Sequence, residues 1–143
     1  MSRMTKYDAR WFASQAATWN DDPRKVERAR QAADAIAAEV PLDPSWRVLD
    51  YGAGTGLLAF ALADRVGEIL LLDFSDGMVE AARRRIAESG RPGMRAERHD
   101  LTQAPLPATE QFDLVISMMV LHHVDDVPLL LTRLSAATTE DGW

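Results

Sequence analysis

The sequence predicts an α/β fold, a doubly wound parallel sheet with helices on both faces. Two apolar runs, at residues 69–72 and 112–119, are short for helices and have the composition of strands that are covered on both sides. Segments with apolar residues at helical spacing separate these runs, and a glycine-rich turn follows the first strand. Strands that alternate with helices form parallel sheets through right-handed crossovers.

The first 21 residues form an aromatic segment that contains Tyr7, Trp11, Phe12 and Trp19. Spacings of four and five residues place the first three of these near one side of a helix. The segment is therefore either a terminal helix packed on the core or an aromatic lid over a pocket. Next, Asp22 and Pro23 predict a helix start, with the carboxylate as N-cap and the proline at the first helical position. The amphipathic helix that follows spans residues 22–40.

Residues 46–143 predict a nucleoside-binding α/β core within a single domain of residues 1–143. The strands of this core are predicted at residues 47–50, 69–73, 94–100 and 112–119. Its helices are predicted at residues 57–66, from Ser75 or Asp76 onward, and from near Asp125 onward. The strand at 94–100 alternates in polarity, which suits a sheet edge, and two prolines predict an irregular crossover over residues 101–111.

The composition excludes several classes of function. The 143 residues include 22 acidic and 16 basic side chains, and the net charge of −6 argues against a nucleic-acid binder. The absence of cysteine excludes disulfides, thiolate zinc sites and a cysteine nucleophile, and three histidines give little material for a metal site. No apolar run approaches the roughly 18 residues that span a bilayer, and the first residues lack the apolar core of a signal peptide. The sequence therefore predicts a cytoplasmic protein without a bound metal.

The most informative turn follows the first strand, since ligands of such sheets bind at the carboxyl ends of the strands. There, Gly52, Gly54 and Gly56 let a ligand approach the backbone closely because glycine has no Cβ. The following helix presents its first N–H groups to an anionic group. The spacing fits neither a dinucleotide fingerprint nor a P-loop, because Leu57 stands where the first has glycine and the second has lysine.

Three aspartates, Asp50, Asp73 and Asp100, stand at the ends of three successive predicted strands. Asp73 comes about 20 residues after the glycine turn, where an acidic side chain can accept hydrogen bonds from the hydroxyls of a ribose. A helix-capping aspartate is the alternative for Asp73, and a plain turn is the alternative for Asp100. Together the three carboxylates predict a nucleoside site.

Four motifs carry a resemblance to a known family. They are Val48-Leu49-Asp50-Tyr51-Gly52-Ala53-Gly54-Thr55-Gly56, Leu71-Leu72-Asp73-Phe74-Ser75, His99-Asp100-Leu101, and Phe112-Asp113-Leu114-Val115-Ile116-Ser117 with the later Leu121-His122-His123-Val124. In this order they resemble the motifs of class I S-adenosylmethionine-dependent methyltransferases, most closely the small-molecule enzymes of the ubiquinone- and menaquinone-biosynthesis type. Asp50 stands where many members have glutamate.

The resemblance also predicts the order of the strands. The family sheet has seven strands in the order 3-2-1-4-5-7-6, and this sequence contains the first four, in the order 3-2-1-4. The strand around residues 114–118 is therefore expected to have one unpaired edge. Such an edge predicts either a homodimer paired through it or a longer polypeptide that covers it.

The resemblance implies S-adenosylmethionine as cofactor, S-adenosylhomocysteine as product, and a small molecule as methyl acceptor. The residues that it implies for cofactor binding are Asp50, Gly52, Ala53, Gly54, Thr55, Gly56, Asp73, Phe74, Met78, Asp100, Leu101, Ser117 and Met118. Within this set, the N–H groups of residues 54–56 would hold the carboxylate of the ligand. Asp50 and the carbonyls of Gly52 and Ser117 would hold its ammonium.

The resemblance further implies how the nucleoside is held. Asp73 would accept from the ribose hydroxyls, and Phe74 and Met78 would sandwich the adenine. Asp100 would accept from the adenine amino group, while the Leu101 N–H would donate to a ring nitrogen.

His122 and His123 follow the fourth strand, beside the position expected for the transferred methyl group. Either is a candidate general base or substrate contact, because histidine changes charge near neutral pH. Adjacent residues are not expected to face the pocket together, so at least one would be structural. Two alternatives stay open: a truncated or minimal nucleoside-binding fragment without turnover, and a nicotinamide-dependent oxidoreductase, which Leu57 disfavours.

Overall fold

A computed structural model describes residues 8–143, so Tyr7 lies outside the described residues. The chain forms a four-stranded sheet in the order β3-β2-β1-β4, in which every neighbouring pair is parallel. The strands are β1 (Arg47–Tyr51), β2 (Glu68–Asp73), β3 (Met94–Arg98) and β4 (Leu114–Ile116). The predicted fold class and strand order are therefore confirmed.

The helices begin where the sequence places their caps. They are α1 (Ala9–Gln15), α2 (Pro23–Glu39), α3 (Leu57–Leu62), α4 (Asp76–Ser89) and α5 (Val127–Ala136), with 3₁₀ turns at Ala16–Asp21 and Leu121–His123. The Asp22 carboxylate accepts the Arg24 N–H at 2.9 Å, which confirms the predicted cap of α2. Ser75 caps α4, because its hydroxyl accepts the Met78 N–H at 3.4 Å. Within residues 8–143, no helix is long and apolar enough to cross a membrane.

Apolar side chains fill both faces of the sheet, as a doubly wound fold requires. The core under α2, α3 and α4 receives the strand residues Val48, Ile69 and Leu71. The core on the opposite face, under α5, receives Leu49, Leu70 and Leu72. Successive strand residues point to opposite faces, so the unbroken apolar run of β2 serves both cores.

Two predicted elements extend further than the observed ones. The helix predicted at 57–66 ends at Leu62, because the N–H groups of Ala63 and Arg65 donate to carbonyls three residues back, in a tighter turn that leads into β2. The strand predicted at 94–100 ends at Arg98, and it is an edge strand as predicted.

The largest difference lies around β4, where the strand predicted at 112–119 is confined to Leu114–Ile116. Phe112 pairs instead with the residues that follow α5. Its N–H donates to the Ala137 carbonyl at 2.8 Å and its carbonyl accepts the Thr139 N–H at 2.9 Å. Beyond β4 the chain turns at Met119, which has a φ of 61°.

The last described residue covers part of the β4 edge. The Val115 N–H donates to the Trp143 carbonyl at 2.9 Å, and the Trp143 N–H donates to the Asp113 carbonyl at 2.9 Å. This is the hydrogen-bond pattern of a parallel strand neighbour. The expectation that residues 114–118 expose a whole unpaired edge is therefore wrong at Val115.

The aromatic segment is joined to the core at two points. At the first turn of α4, a Cβ on Gly77 would lie 2.7 Å from the Ala13 Cα, so only glycine allows α1 to pack this closely. At the glycine turn, the Thr55 hydroxyl donates to the Asn20 side chain at 2.5 Å. These contacts place the segment over the carboxyl ends of the strands.

Candidate active site

A cavity of about 1060 Å³ lies between the carboxyl ends of the strands and the aromatic segment. The predicted site residues that line it are Trp11, Phe12, Trp19, Asp50, Gly52, Ala53, Gly54, Asp73, Phe74, Met78, Asp100, Met118, His122 and His123. Four predicted residues do not line it: Thr55, Gly56, Leu101 and Ser117. The structure thus gathers most of the predicted set in one place.

The glycine turn brings backbone to the floor of the cavity. Gly52 has a φ of 72°, and a Cβ at this position would collide with Cγ2 of Val120, a residue of the cavity wall. The Gly54 N–H donates to Asp73, and the Gly56 N–H donates to the Ala53 carbonyl at 3.0 Å. Two of the three amides expected to hold an anionic group therefore already donate hydrogen bonds to other groups of the protein.

Asp50 is the most unusual side chain of the site. It is 2% exposed, and its Oδ2 has no hydrogen-bond partner among the described residues. Burial, together with the nearby Asp73 carboxylate, raises the pKa of Asp50 to about 7. A buried carboxylate without a partner is costly, so this oxygen is suited to a ligand that brings positive charge or a donor.

Asp73 accepts backbone hydrogen bonds at the floor of the cavity, but the cap of α4 is Ser75, so the alternative of a helix-capping aspartate is wrong. Its Oδ1 accepts the Ser75 N–H and its Oδ2 accepts the Gly54 N–H, each at 2.9 Å. It also lines the cavity. Burial raises the pKa of Asp73, and the backbone hydrogen bonds oppose that rise. A carboxylate has about four acceptor sites, and the backbone amides of Gly54, Phe74 and Ser75 do not occupy all of them, so Asp73 retains acceptor capacity for a ligand.

Tyr51 lines the cavity but is not among the site residues predicted from the sequence, although it lies inside the glycine motif. Its hydroxyl accepts the Leu101 N–H at 3.2 Å, so the amide expected to reach an adenine nitrogen is already paired. Burial raises the pKa of Tyr51 to about 12, which keeps the phenol protonated at neutral pH. The Ser117 hydroxyl donates to the Tyr51 carbonyl at 2.9 Å.

Asp100 accepts the N–H and hydroxyl of Thr102, as a plain turn would, and also lines the cavity.

The aromatic segment forms one wall of the cavity. Trp11, Phe12 and Trp19 pack on one another with ring centroids 5.0 to 6.4 Å apart. The Phe12 ring also meets the rings of Phe74 and His123 edge to face, at 5.7 Å in both contacts. Phe12 therefore joins the predicted adenine end of the cavity to its histidine end.

Both histidines line the cavity, and a structural role for at least one of them stays a prediction. They lie in the tight 3₁₀ turn Leu121–His123, and their ring centroids are 3.8 Å apart. Burial, and to a smaller degree the neighbouring His122, lowers the pKa of His123. Within residues 8–143, no group of three or more His, Cys, Asp or Glu side chains could hold a metal ion.

The burial of Asp50 predicts how the free energy of unfolding depends on pH. An unfolded Asp ionises near pH 4, whereas folded Asp50 ionises near pH 7. The folded state therefore binds more protons between these values, and its stability decreases as the pH rises, by on the order of a few kcal/mol. We expect Asp50→Asn to flatten this decrease in urea unfolding between pH 4 and 7.5. Asp73 leaves a residual slope of the same sign; an unchanged slope in the variant would contradict the assignment.

The histidine pair gives a second pH prediction. We expect imidazole signals in an NMR titration to place the pKa of His123 below the ordinary value of a histidine. His122→Gln should raise the pKa of His123, because the variant removes one of the two causes of the lowering. A His123 pKa at or above the ordinary value would rule out the arrangement of these rings.

Comparison with known proteins identifies the family of the chain. A family profile described as a methyltransferase domain matches residues 48–142. An uncharacterized methyltransferase of Mycobacterium tuberculosis is 36% identical over 107 residues, which are 75% of this chain and 52% of that protein. A ubiquinone biosynthesis O-methyltransferase of Xanthomonas campestris is 35% identical over 136 residues, which are 92% of this chain and 55% of that protein. The chain spans about half the length of these curated relatives.

Solved structures share the fold. A putative S-adenosylmethionine-dependent methyltransferase from Methanococcus maripaludis has a TM-score of 0.79 at 22% identity, covering 99% of this chain and 64% of that one. Coclaurine N-methyltransferase, bound to N-methylheliamine and S-adenosylhomocysteine, has a TM-score of 0.71 at 19% identity, covering 80% of this chain and 34% of that one. At these identities the likeness concerns the fold alone. The match over residues 48–142 is more than half of the chain, and it shows that the chain belongs to the methyltransferase domain family, with the class I S-adenosylmethionine-dependent fold.

Proposed function

We propose that the cavity binds S-adenosylmethionine and that the chain transfers its methyl group to a small-molecule acceptor. The observation that carries this proposal is the buried Oδ2 of Asp50, which has no partner among the described residues and lies beside the glycine turn. A ligand with an ammonium group would supply the missing partner. S-adenosylmethionine has such an ammonium, and it has no phosphate, in keeping with a turn that lacks the P-loop lysine.

The remaining residues of the site fit the other parts of this cofactor. Asp73 retains open acceptor sites for the ribose hydroxyls, and Phe74 and Met78 offer apolar surfaces for the adenine. Asp100 is placed on the cavity to accept from the adenine amino group. Leu101 has no role in this proposal, because its N–H is paired with Tyr51.

When bound, the cofactor supplies a methyl group that is already activated by a positive sulfur. The protein then has to orient the acceptor and exclude water, and well-aligned partners reach effective molarities of about 10⁵–10⁸ M. Trp11, Phe12 and Trp19 provide the water-excluding wall. Where the acceptor loses a proton, His123 is the base that we favour, because its lowered pKa keeps the imidazole neutral near pH 7 and able to accept it.

The family match does not favour the alternative of a nucleoside-binding fragment without turnover. The identity of the acceptor and a cytoplasmic location stay predictions. So does a homodimer through the part of the β4 edge beyond Val115, which light scattering in solution would test.

The proposal predicts that Asp73→Asn weakens binding of S-adenosylhomocysteine by roughly 1.5–3 kcal/mol, the scale of a hydrogen bond to a charged acceptor. Asn keeps one acceptor oxygen for the turn, which makes it a gentler change than Ala. Asp76→Asn removes the same charge from an exposed position on α4 that does not line the cavity, and should leave binding unchanged. Calorimetry measures the affinities, and urea unfolding measures stability.

A thermal-shift comparison of the natural sequence completes this test. We expect S-adenosylmethionine and S-adenosylhomocysteine to raise the melting temperature and NAD to leave it unchanged, since a ligand that binds only the folded state stabilises it by RT ln(1 + [L]/Kd). Stabilisation by NAD alone would sink the proposal in favour of the oxidoreductase alternative.

The lid interpretation predicts a change in hydrogen exchange over residues 9–21. We expect S-adenosylhomocysteine to slow exchange there, because Phe12 contacts both Phe74 and His123 across the cavity. Gly77→Ala should speed exchange of the same residues without affecting β1 and β2, because the new Cβ presses on Ala13. Strong and equal protection with and without the ligand would leave only the interpretation of a fixed terminal helix.

A further inference from the structure

We propose that the methyl acceptor carries an anionic group on an aromatic body, and that Lys25 and Arg28 of α2 bind that group. This inference rests on the proposed function, because it concerns the part of the cavity that the cofactor would leave to the acceptor. Both side chains line the cavity, on the side formed by the aromatic segment. They are three residues apart on one helix and so share a face.

The other arginines in the same stretch of α2 are neutralised by carboxylates. Arg24 pairs with Asp22 at 3.2 Å, and Arg30 pairs with Glu27 and with Asp34. These ion pairs lie at the exposed surface. The helix thus supplies a carboxylate for each of these two outward cations.

The two cations that line the cavity form no such ion pair, although the pKa of Asp22, lowered mainly by its hydrogen bonds with Arg24, is lowered to a small degree by the charge of Lys25. Among residues 8–143, neither Lys25 nor Arg28 forms an ion pair with a carboxylate. The Lys25 ammonium lies over the Trp19 ring, 3.3 Å from its centroid, a contact that holds the charge at the cavity wall without cancelling it. An anionic group on the acceptor is the partner that this arrangement lacks.

The acidic side chains of the cavity do not compete for these cations. Asp50 and Asp73 lie at the carboxyl ends of β1 and β2, and Asp100 follows β3. Near the lid, Asp8 accepts the Trp11 N–H and Asp126 accepts the Leu129 N–H, so both act as helix caps. Asp125 also lines the cavity and is exposed.

The aromatic side chains of the cavity wall are the reason for proposing an acceptor with an aromatic ring. Trp11, Phe12 and Trp19 present ring faces and edges to the cavity, and aromatic rings prefer such offset and edge-on contacts. A planar ring packed there would have its anionic group at Lys25 and Arg28. Its reacting atom would lie toward His123, which Phe12 contacts.

The test uses three probes of one shape: 2-naphthoate, 2-naphthyl phosphate and the neutral 2-naphthamide. Calorimetry measures their binding to the full chain saturated with S-adenosylhomocysteine. We expect at least one anion to bind about tenfold or more tightly than the amide. Which anion binds more tightly distinguishes a carboxylate acceptor from a phosphate one.

Substitutions in α2 test whether Lys25 and Arg28 cause the preference for the anionic probes. Arg28→Gln should remove most of the preference for the anion and leave the affinity for 2-naphthamide unchanged. Arg24→Gln, which removes the same charge from a paired and outward position, should keep the preference. Lys25→Gln should also reduce it, and circular dichroism checks that each variant is folded.

Two outcomes overturn the inference: no preference for either anion in the natural sequence, or an equal loss of preference in Arg24→Gln and Arg28→Gln. Failure of S-adenosylhomocysteine to bind counts against the proposed function instead. In that case the same comparison of probes, made without the nucleoside, still decides whether the cations form an anion site.

Discussion

The hydrogen bond from the Gly54 N–H to the Asp73 carboxylate is the contact on which the site depends. It joins the turn after β1 to the end of β2, the two central strands of the sheet. Because the second oxygen of the same carboxylate accepts the Ser75 N–H, one side chain fixes both the glycine turn and the start of α4. The floor of the cavity and the first turn of α4, against which α1 packs through Gly77, are therefore set by one residue.

The negative charge of Asp73 disfavours the ionised form of the neighbouring Asp50. Asp50 is buried close enough to Asp73 for each negative charge to disfavour the other, and no side chain of the described residues neutralises Asp50. A protein can tolerate such a group when a ligand supplies the missing charge, since the interaction is then stronger in a buried site than in water. The unpaired burial of Asp50, which costs stability, would thus, under the proposed function, be the source of the affinity for the ammonium of the cofactor.

Much of this could be predicted from the sequence, because it depends on residues close together along the chain. The unbroken run of β2 indicates a central strand, and Asp50, Asp73 and Asp100 reach one edge of the sheet because parallel strands end on the same side. Other features depend on contacts between distant segments. No local pattern indicates that the Tyr51 hydroxyl reaches the Leu101 amide across β2, or that Trp143 pairs beside Val115. The short 3₁₀ turn that contains both histidines is likewise not predicted by periodicity.

The basic residues of α2 are the clearest case in which the structure adds to what the sequence predicts. On the sequence, the basic residues of α2 form one polar face of an amphipathic helix, and nothing distinguishes Arg28 from Arg24. The structure divides them, because rotation along the helix turns Arg24 and Arg30 toward carboxylates and Lys25 and Arg28 toward the cavity. The cavity then has Asp50, Asp73 and Asp100 at the strand ends, and Lys25 and Arg28 on α2. A positively charged cofactor and a negatively charged acceptor would each meet the opposite charge, and each would be held at the wall where its own reacting group faces the other.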